Sequence, residues 1–258
     1  MGQYDLLDPE NAPGRFETLK SPRKRGSKGD GVPWGVRDVF LMILLAVIGF
    51  LAAMLGLTVA VRLVLDIFPN LKSLPTLVVN SLFLVFQDGV ILTISLVFLH
   101  LRGYRFNLAT LGFRRTGLLM AILLVFTVLA LSEVGSAIYQ SFVTPQPQPV
   151  LKEIQPGLPA LALAIIQIAI IAPIAEETLF RGIIHQGLEH QLGFIPAGII
   201  SAAIFAAAHL QPDIFVPIFI LGFGFAFLMH YTRSLWPSIA GHMLFNLLSV
   251  IAVYSSLR

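Results

Sequence analysis

Seven stretches of apolar residues, parted by short polar or proline-bearing breaks, organise this chain. They run near Val39 to Leu65, Leu74 to Leu101, Gly117 to Gln140, Leu158 to about Glu189, Phe194 to His209, Ile214 to His230 and Leu235 to Tyr254. Most approach or exceed the roughly 20 residues a helix needs to cross the hydrocarbon core of a bilayer. Their polarity does not alternate with the period of two that a half-exposed strand would show. A lipid-spanning segment must also satisfy its own backbone groups, so the pattern predicts helices. The expected fold class is all-α, a polytopic integral membrane bundle of about seven to eight transmembrane helices.

Composition agrees: hydrophobic residues make up 56% of the chain, charged residues 12%, and mean hydropathy is +0.84, outside the soluble globular range. With no cysteine, disulfides, thiolate nucleophiles, cysteine zinc sites, palmitoylation and a C-terminal prenylation box are excluded. Met1-Gly2-Gln3-Tyr4-Asp5-Leu6 resembles a myristoylation start but lacks Ser or Thr at its last position. No cleaved signal peptide is expected, because the first apolar run begins near Val39, behind a polar tail.

Charge sets the orientation. Lys20, Arg23, Lys24, Arg25 and Lys28 cluster among Gly, Ser and Pro, and the stretch 1–37 reads as a disordered basic cytoplasmic tail in reach of anionic lipid headgroups, with no nucleic-acid partner. Arg102, Arg105, Arg114 and Arg115 make the most basic loop, two crossings later and so on the same side. The expected location is the cell (inner) membrane with a cytoplasmic N-terminus. The proline-rich Thr144 to Pro149 then divides one membrane domain into N-terminal helices, 38–157, and a polar-bearing core, 158–258. Asp88 and Glu133 in the first part read as acids that find partners between helices or snorkel to an interface.

Glu176 and Glu177 end the uncharged run Leu158 to Ala175. A carboxylate at bilayer depth costs about 2.5 to 3.5 kcal/mol on insertion scales, so an adjacent pair is a functional-site signal. Helical geometry puts Glu177 and Arg181 four apart on one face in the favourable acid-before-base order, and His185 and Glu189 continue that stripe. Glu176 is turned about 100° away and needs a partner from another helix. If the chain folds back at Gly193 as an antiparallel hairpin, Glu176 lies 17 residues before the turn (193 − 176) and His209 lies 16 after it (209 − 193). At about 1.5 Å per residue the two share a depth. His242 and Asn246, again four apart, form the third element. His100, His185, His190 and His230 lie near span ends and read as interfacial.

Together these residues suit amide hydrolysis. A carboxylate and an imidazole can hold and deprotonate water, while an imidazole and a carboxamide can stabilise a tetrahedral oxyanion. Ser201 and Ser249 stand in no nucleophile elbow. Glu176, His209 and His242 are also a possible zinc set, two histidines and a carboxylate, although no His-Glu-x-x-His segment exists and Asn246 suits an oxyanion better than a metal; the metal-free version, with no cofactor, is favoured.

Glu176-Glu177-x-x-x-Arg181, Phe205-x-x-x-His209 and His242-x-x-x-Asn246 resemble, in order and without substitution, the three motifs of the CAAX protease and bacteriocin-processing enzyme family, also called Abi, which includes the type II CAAX prenyl endopeptidases. The similarity covers roughly Leu158 to Val253. The resemblance implies an intramembrane glutamate endopeptidase in which Glu176 and His209 activate water, His242 and Asn246 form the oxyanion hole, and Glu177 and Arg181 support the site. Its partner would be a membrane-embedded or lipid-anchored peptide or protein, prenylated in eukaryotic relatives. Two other classes stay open: a catalytically silent scaffold or bacteriocin-immunity protein of the same fold, and a proton-coupled transporter. Span six offers no titratable residue between Ile214 and Met229, which counts against the relay a transporter needs.

Overall fold

The computed structural model describes residues 32–69, 76–144, 146, 148–152, 154 and 156–257. The basic cluster and the rest of the expected tail to residue 31 lie outside the described residues, as do Pro145 and Pro147 of the proline-rich loop. Among the described residues there is no strand. The helices are α1 (Val36–Ile67), α2 (Thr76–Leu101), α3 (Leu118–Gln140), α4 (Leu158–Leu192), α5 (Phe194–Ala208), α6 (Phe215–Thr232) and α7 (Trp236–Ser256), with one extra turn at Pro149–Lys152. All seven fall where the apolar runs place them. Six are long and apolar enough to span a membrane, and this is an integral membrane protein. Helix α5 is the exception, because its 15 residues extend only about 22 Å at 1.5 Å each, short of a roughly 30 Å core.

Each break has a local cause. Gly193 adopts φ +80°, a left-handed value that favours glycine, and turns α4 directly into α5 as an antiparallel hairpin. Arg233 ends α6 in the left-handed region, and Pro237 opens the first turn of α7. Two clusters form the core that carries the site. Val125, Val128 and Leu129 of α3 pack on Leu221, Phe225 and Leu228 of α6, and Ile183, Ile184 and Leu188 of α4 pack with Trp34, Val39 and Met42.

Residues 32–35, within the stretch expected as a tail, include side chains buried against the bundle. Trp34 is fully buried, and its indole N–H donates to the Ile183 carbonyl at 3.0 Å. Val36 N–H donates to Gln191 Oε1 at 3.1 Å. Glycine and proline around the tryptophan suggest a linker, but the large apolar ring finds a slot against α4. Asp38 then ties the start of α1 to the end of α2 through Arg102, at 3.0 Å, and through the Tyr104 hydroxyl, at 2.6 Å. That donated bond pushes the Tyr104 phenol above its usual range.

Helix α4 is not uniformly α-helical. Residues Ile165–Ile171 and Thr178–His185 take the wider π form, leaving a short α stretch, Ala172–Glu177, that ends on the glutamate pair. Such turns are rare and concentrate at functional sites.

Candidate active site

Glu177 is fully buried at the end of that α stretch, and its Oε1 accepts two hydrogen bonds: from Arg181 Nη1 at 2.8 Å and from His242 Nδ1 at 3.0 Å. The pairing with Arg181 is the one the i, i+4 spacing predicts; the second bond, from α7, is not visible in any local spacing. Arg181 is itself fully buried. Its Nη2 donates to the Gly222 carbonyl of α6 at 2.9 Å, and its guanidinium lies 4.3 Å from the Phe205 ring centre and 5.4 Å from that of Phe225. Aromatic faces stabilise a desolvated cation. One arginine therefore locks α4, α5 and α6 together.

Because a carboxylate only accepts, His242 carries its proton on Nδ1, which leaves the Nε2 lone pair free in the neutral ring. That Nε2 lies 3.9 Å from Glu176 Oε2. Glu176 Oε2 is buried and makes no hydrogen bond, while the side chain as a whole remains 25% exposed. The two glutamates thus hold opposite nitrogens of one imidazole: Glu177 by direct bond, Glu176 across a gap.

His209 closes α5, with Nδ1 donating to the Phe205 carbonyl at 2.8 Å, so its Nε2 is also the free nitrogen. The α4–α5 hairpin has close to the expected register, since Phe205 meets Phe180 edge-on at 5.0 Å and Ser201 Oγ donates to the Phe180 carbonyl at 3.1 Å. Even so, no ion-pair contact joins His209 to Glu176; the imidazole that Glu176 approaches is that of His242, at 3.9 Å. Phe205 links the two histidines, edge-on to His209 at 4.9 Å and to His242 at 5.7 Å. Asn246 Nδ2 donates to the Ile168 carbonyl at 2.8 Å, inside the first π turn, and its second amide proton is left over. Among the described residues no group of three or more His, Cys, Asp or Glu is placed to hold a metal ion.

Two of the histidines read as interfacial, His185 and His230, belong to a second polar cluster. His185 is fully buried with Nε2 3.2 Å from Glu189 Oε2, and His230 Nδ1 bonds Glu189 Oε1 while its ring stacks on Phe194. Arg233 approaches the same oxygen at 3.4 Å.

With this geometry in view, residues 158–248 match the Rce1-like family, described as type II CAAX prenyl endopeptidases. A stretch of 99 residues is 36% identical to YdiL of Bacillus subtilis (strain 168), a protein provisionally named a membrane peptidase; it covers 38% of this chain and 41% of that relative, so the alignment spans about two fifths of the relative's length. No solved structure matches.

Glu176, Glu177, Arg181, His209, His242 and Asn246 all lie inside the Rce1-like segment, and the structure brings four of the six into one chain of close approaches. Arg181, Glu177, His242 and Glu176 follow one another directly. Asn246 sits one turn along α7 from His242, and His209 joins only through Phe205. Sequence reasoning passed over Gly222 and Phe225, which act through a backbone carbonyl and a ring face and carry no chemical signature. Trp34 and Thr110, whose carbonyl accepts from Gln186 at 3.2 Å, lie outside the Rce1-like segment altogether.

Proposed function

We propose that this chain is an intramembrane endopeptidase that hydrolyses a peptide bond of a membrane-embedded or lipid-anchored substrate with water activated by Glu176. The observation that carries the reading is the facing pair of Glu176 Oε2, buried and unbonded, and His242 Nε2, 3.9 Å away. That gap is too long for a direct hydrogen bond, yet one water at about 2.8 Å from each atom spans it. Glu176 takes a proton as the water oxygen adds to the carbonyl carbon, then returns it to the leaving nitrogen as the C–N bond breaks. His242, held by Glu177, orients the water; this moves it to the water side of the site from the oxyanion role that the resemblance implies. His209 keeps its Nε2 lone pair as a second proton acceptor. The spare amide proton of Asn246 serves the developing oxyanion. Glu177 and Arg181 fix the imidazole and touch no substrate.

Substrate class follows from resemblance and burial together: a prenylated CAAX-type tail or a small membrane peptide, reached from within the bilayer and hydrolysed without a metal. Orientation follows from charge. Arg37, Arg102, Arg105, Arg114, Arg115 and Arg233 lie at the end of the bundle where α1 begins and α2 and α6 finish, against Arg62 and Lys152 toward the other end, which supports a cytoplasmic N-terminus in the cell membrane.

The test compares small membrane peptides and lipoproteins in cells carrying the wild type and Glu176→Gln. A peptide shortened only in the wild type supports the reading and names the substrate. Identical profiles, with both proteins inserted at equal levels, overturn it.

A further inference from the structure

We propose that Trp34 is a positioning residue for the site: its indole N–H, bonded to the Ile183 carbonyl, holds the second π turn of α4 in the form that aims Glu177 at His242.

Three carbonyls of that turn accept side-chain donors. Phe180 accepts from Ser201 at 3.1 Å, Gly182 from Gln186 at 2.7 Å and Ile183 from Trp34 at 3.0 Å. The Ile183 carbonyl also accepts from the Gln186 backbone N–H, so the indole is a further donor to it, and a π turn, with its i→i+5 spacing, is a poor conformer left to itself. Ser201 and Gln186 lie in the segment 158–248, whereas Trp34 arrives from the other end of the chain. Its seat is built to fit. A Cβ on Gly187 would stand 2.6 Å from Trp34 Cδ1 and 2.9 Å from Nε1, so the bare backbone there is what admits the ring. Tyr104 and Phe106 flank the indole from the far side, each at 6.4 Å. Val36 N–H on Gln191 docks the next residues along the same helix.

Relaxing a π turn to regular α-helix removes one residue from the turn, and residues on its two sides then rotate relative to each other by about 100°. Glu177 lies immediately before the turn, whereas Ile183, Ile184 and Leu188, packed with Trp34, lie in and after it. Losing the strut therefore turns the Glu177 carboxylate away from His242 relative to that docked end.

The experiment uses the full chain in nanodiscs on a Trp236→Phe background, which leaves Trp34 as the remaining tryptophan of the two in the sequence. Benzothienylalanine at position 34 replaces the indole N–H with sulfur and keeps the ring. Hydrogen exchange of amides 178–192 should quicken by about fivefold, the equivalent of one lost hydrogen bond, while amides of α3 and α6 and the thermal midpoint stay as they were. On the peptide identified above, kcat should fall about tenfold at unchanged KM, and a reading as mere packing predicts no such split. Unchanged exchange at 178–192, exchange raised throughout with a lower midpoint, or unaltered kcat overturns the proposal. The kinetic arm rests on the endopeptidase reading. If the wild type cleaves nothing, that reading falls, and the exchange arm still decides whether Trp34 holds the turn.

Discussion

The two halves of the molecule answer the bilayer in opposite ways. In α2 only 11% of the apolar window is buried inside the protein, against 44% in α6. Leu55, Leu119 and Leu131 in the first half point outward and are each about two-thirds exposed. Lipid is as apolar as leucine, so such helices need few partners along their length. Their strongest polar contacts lie at the ends, as in the Asp38, Arg102 and Tyr104 group. The second half instead buries an arginine, a carboxylate and a histidine at its centre and joins them in one chain. Apolar helices are enough for insertion; hydrolysis needs charges, and charges at depth persist only where every neighbour is committed to them.

If that contrast is right, the largest losses follow changes to the central chain. Glu176→Gln should lower turnover by about 100- to 10,000-fold, the span of a lost general base, with the protein still inserted and its midpoint retained. Arg181→Met leaves Glu177 buried without its cation and should cost about 3 to 5 kcal/mol, read as thermal unfolding in detergent. Arg181→Met with Glu177→Gln should recover much of that cost, because the stranded charge is gone. A double variant as unstable as the sum of the singles would show that the two residues act separately, and the picture of one coupled chain would fail.

How far the sequence foretold this division depends on the range of each signal. Apolar runs, the Gly193 turn and the Glu177 with Arg181 spacing are local, and each is found where it was expected. The His242 bond to Glu177 joins residues 65 apart on different helices, and no periodicity within either helix encodes it. The π turns were missed for a related reason: Ile165 to Ile171 is as apolar as any α-helical stretch, and the wider turn becomes visible only through what its carbonyls accept. Trp34 was misread because Gly31, Pro33 and Gly35 around it have the composition of a linker. The pairing of Glu176 with His209 was argued from depth alone. Depth fixes height along the bundle and leaves direction open, and in the structure His242 occupies the facing position.

Asn246 tests whether the second half separates holding from reacting. Asn246→Ala removes both the bond to Ile168 and the proposed oxyanion donor. A donor role predicts a fall in kcat of about 100- to 1,000-fold with KM nearly constant. A clamp on the first π turn predicts lost stability of about 1 kcal/mol with kcat little changed. Measuring both on one preparation separates them, and the second pattern would remove Asn246 from the chemistry.

The smallest effect belongs to the first half. Leu55→Ala exchanges one lipid contact for another and should move stability by no more than about 0.5 kcal/mol, whereas the same truncation at a buried core leucine typically costs about 2 to 5. A near-zero result keeps α1 as a lipid-facing helix whose contribution to the site runs through its first residues, next to Trp34. A loss above about 2 kcal/mol would mean that this face packs against protein in the membrane. The first half would then be an assembly surface, and the contrast between the halves would be one of partners instead of polarity.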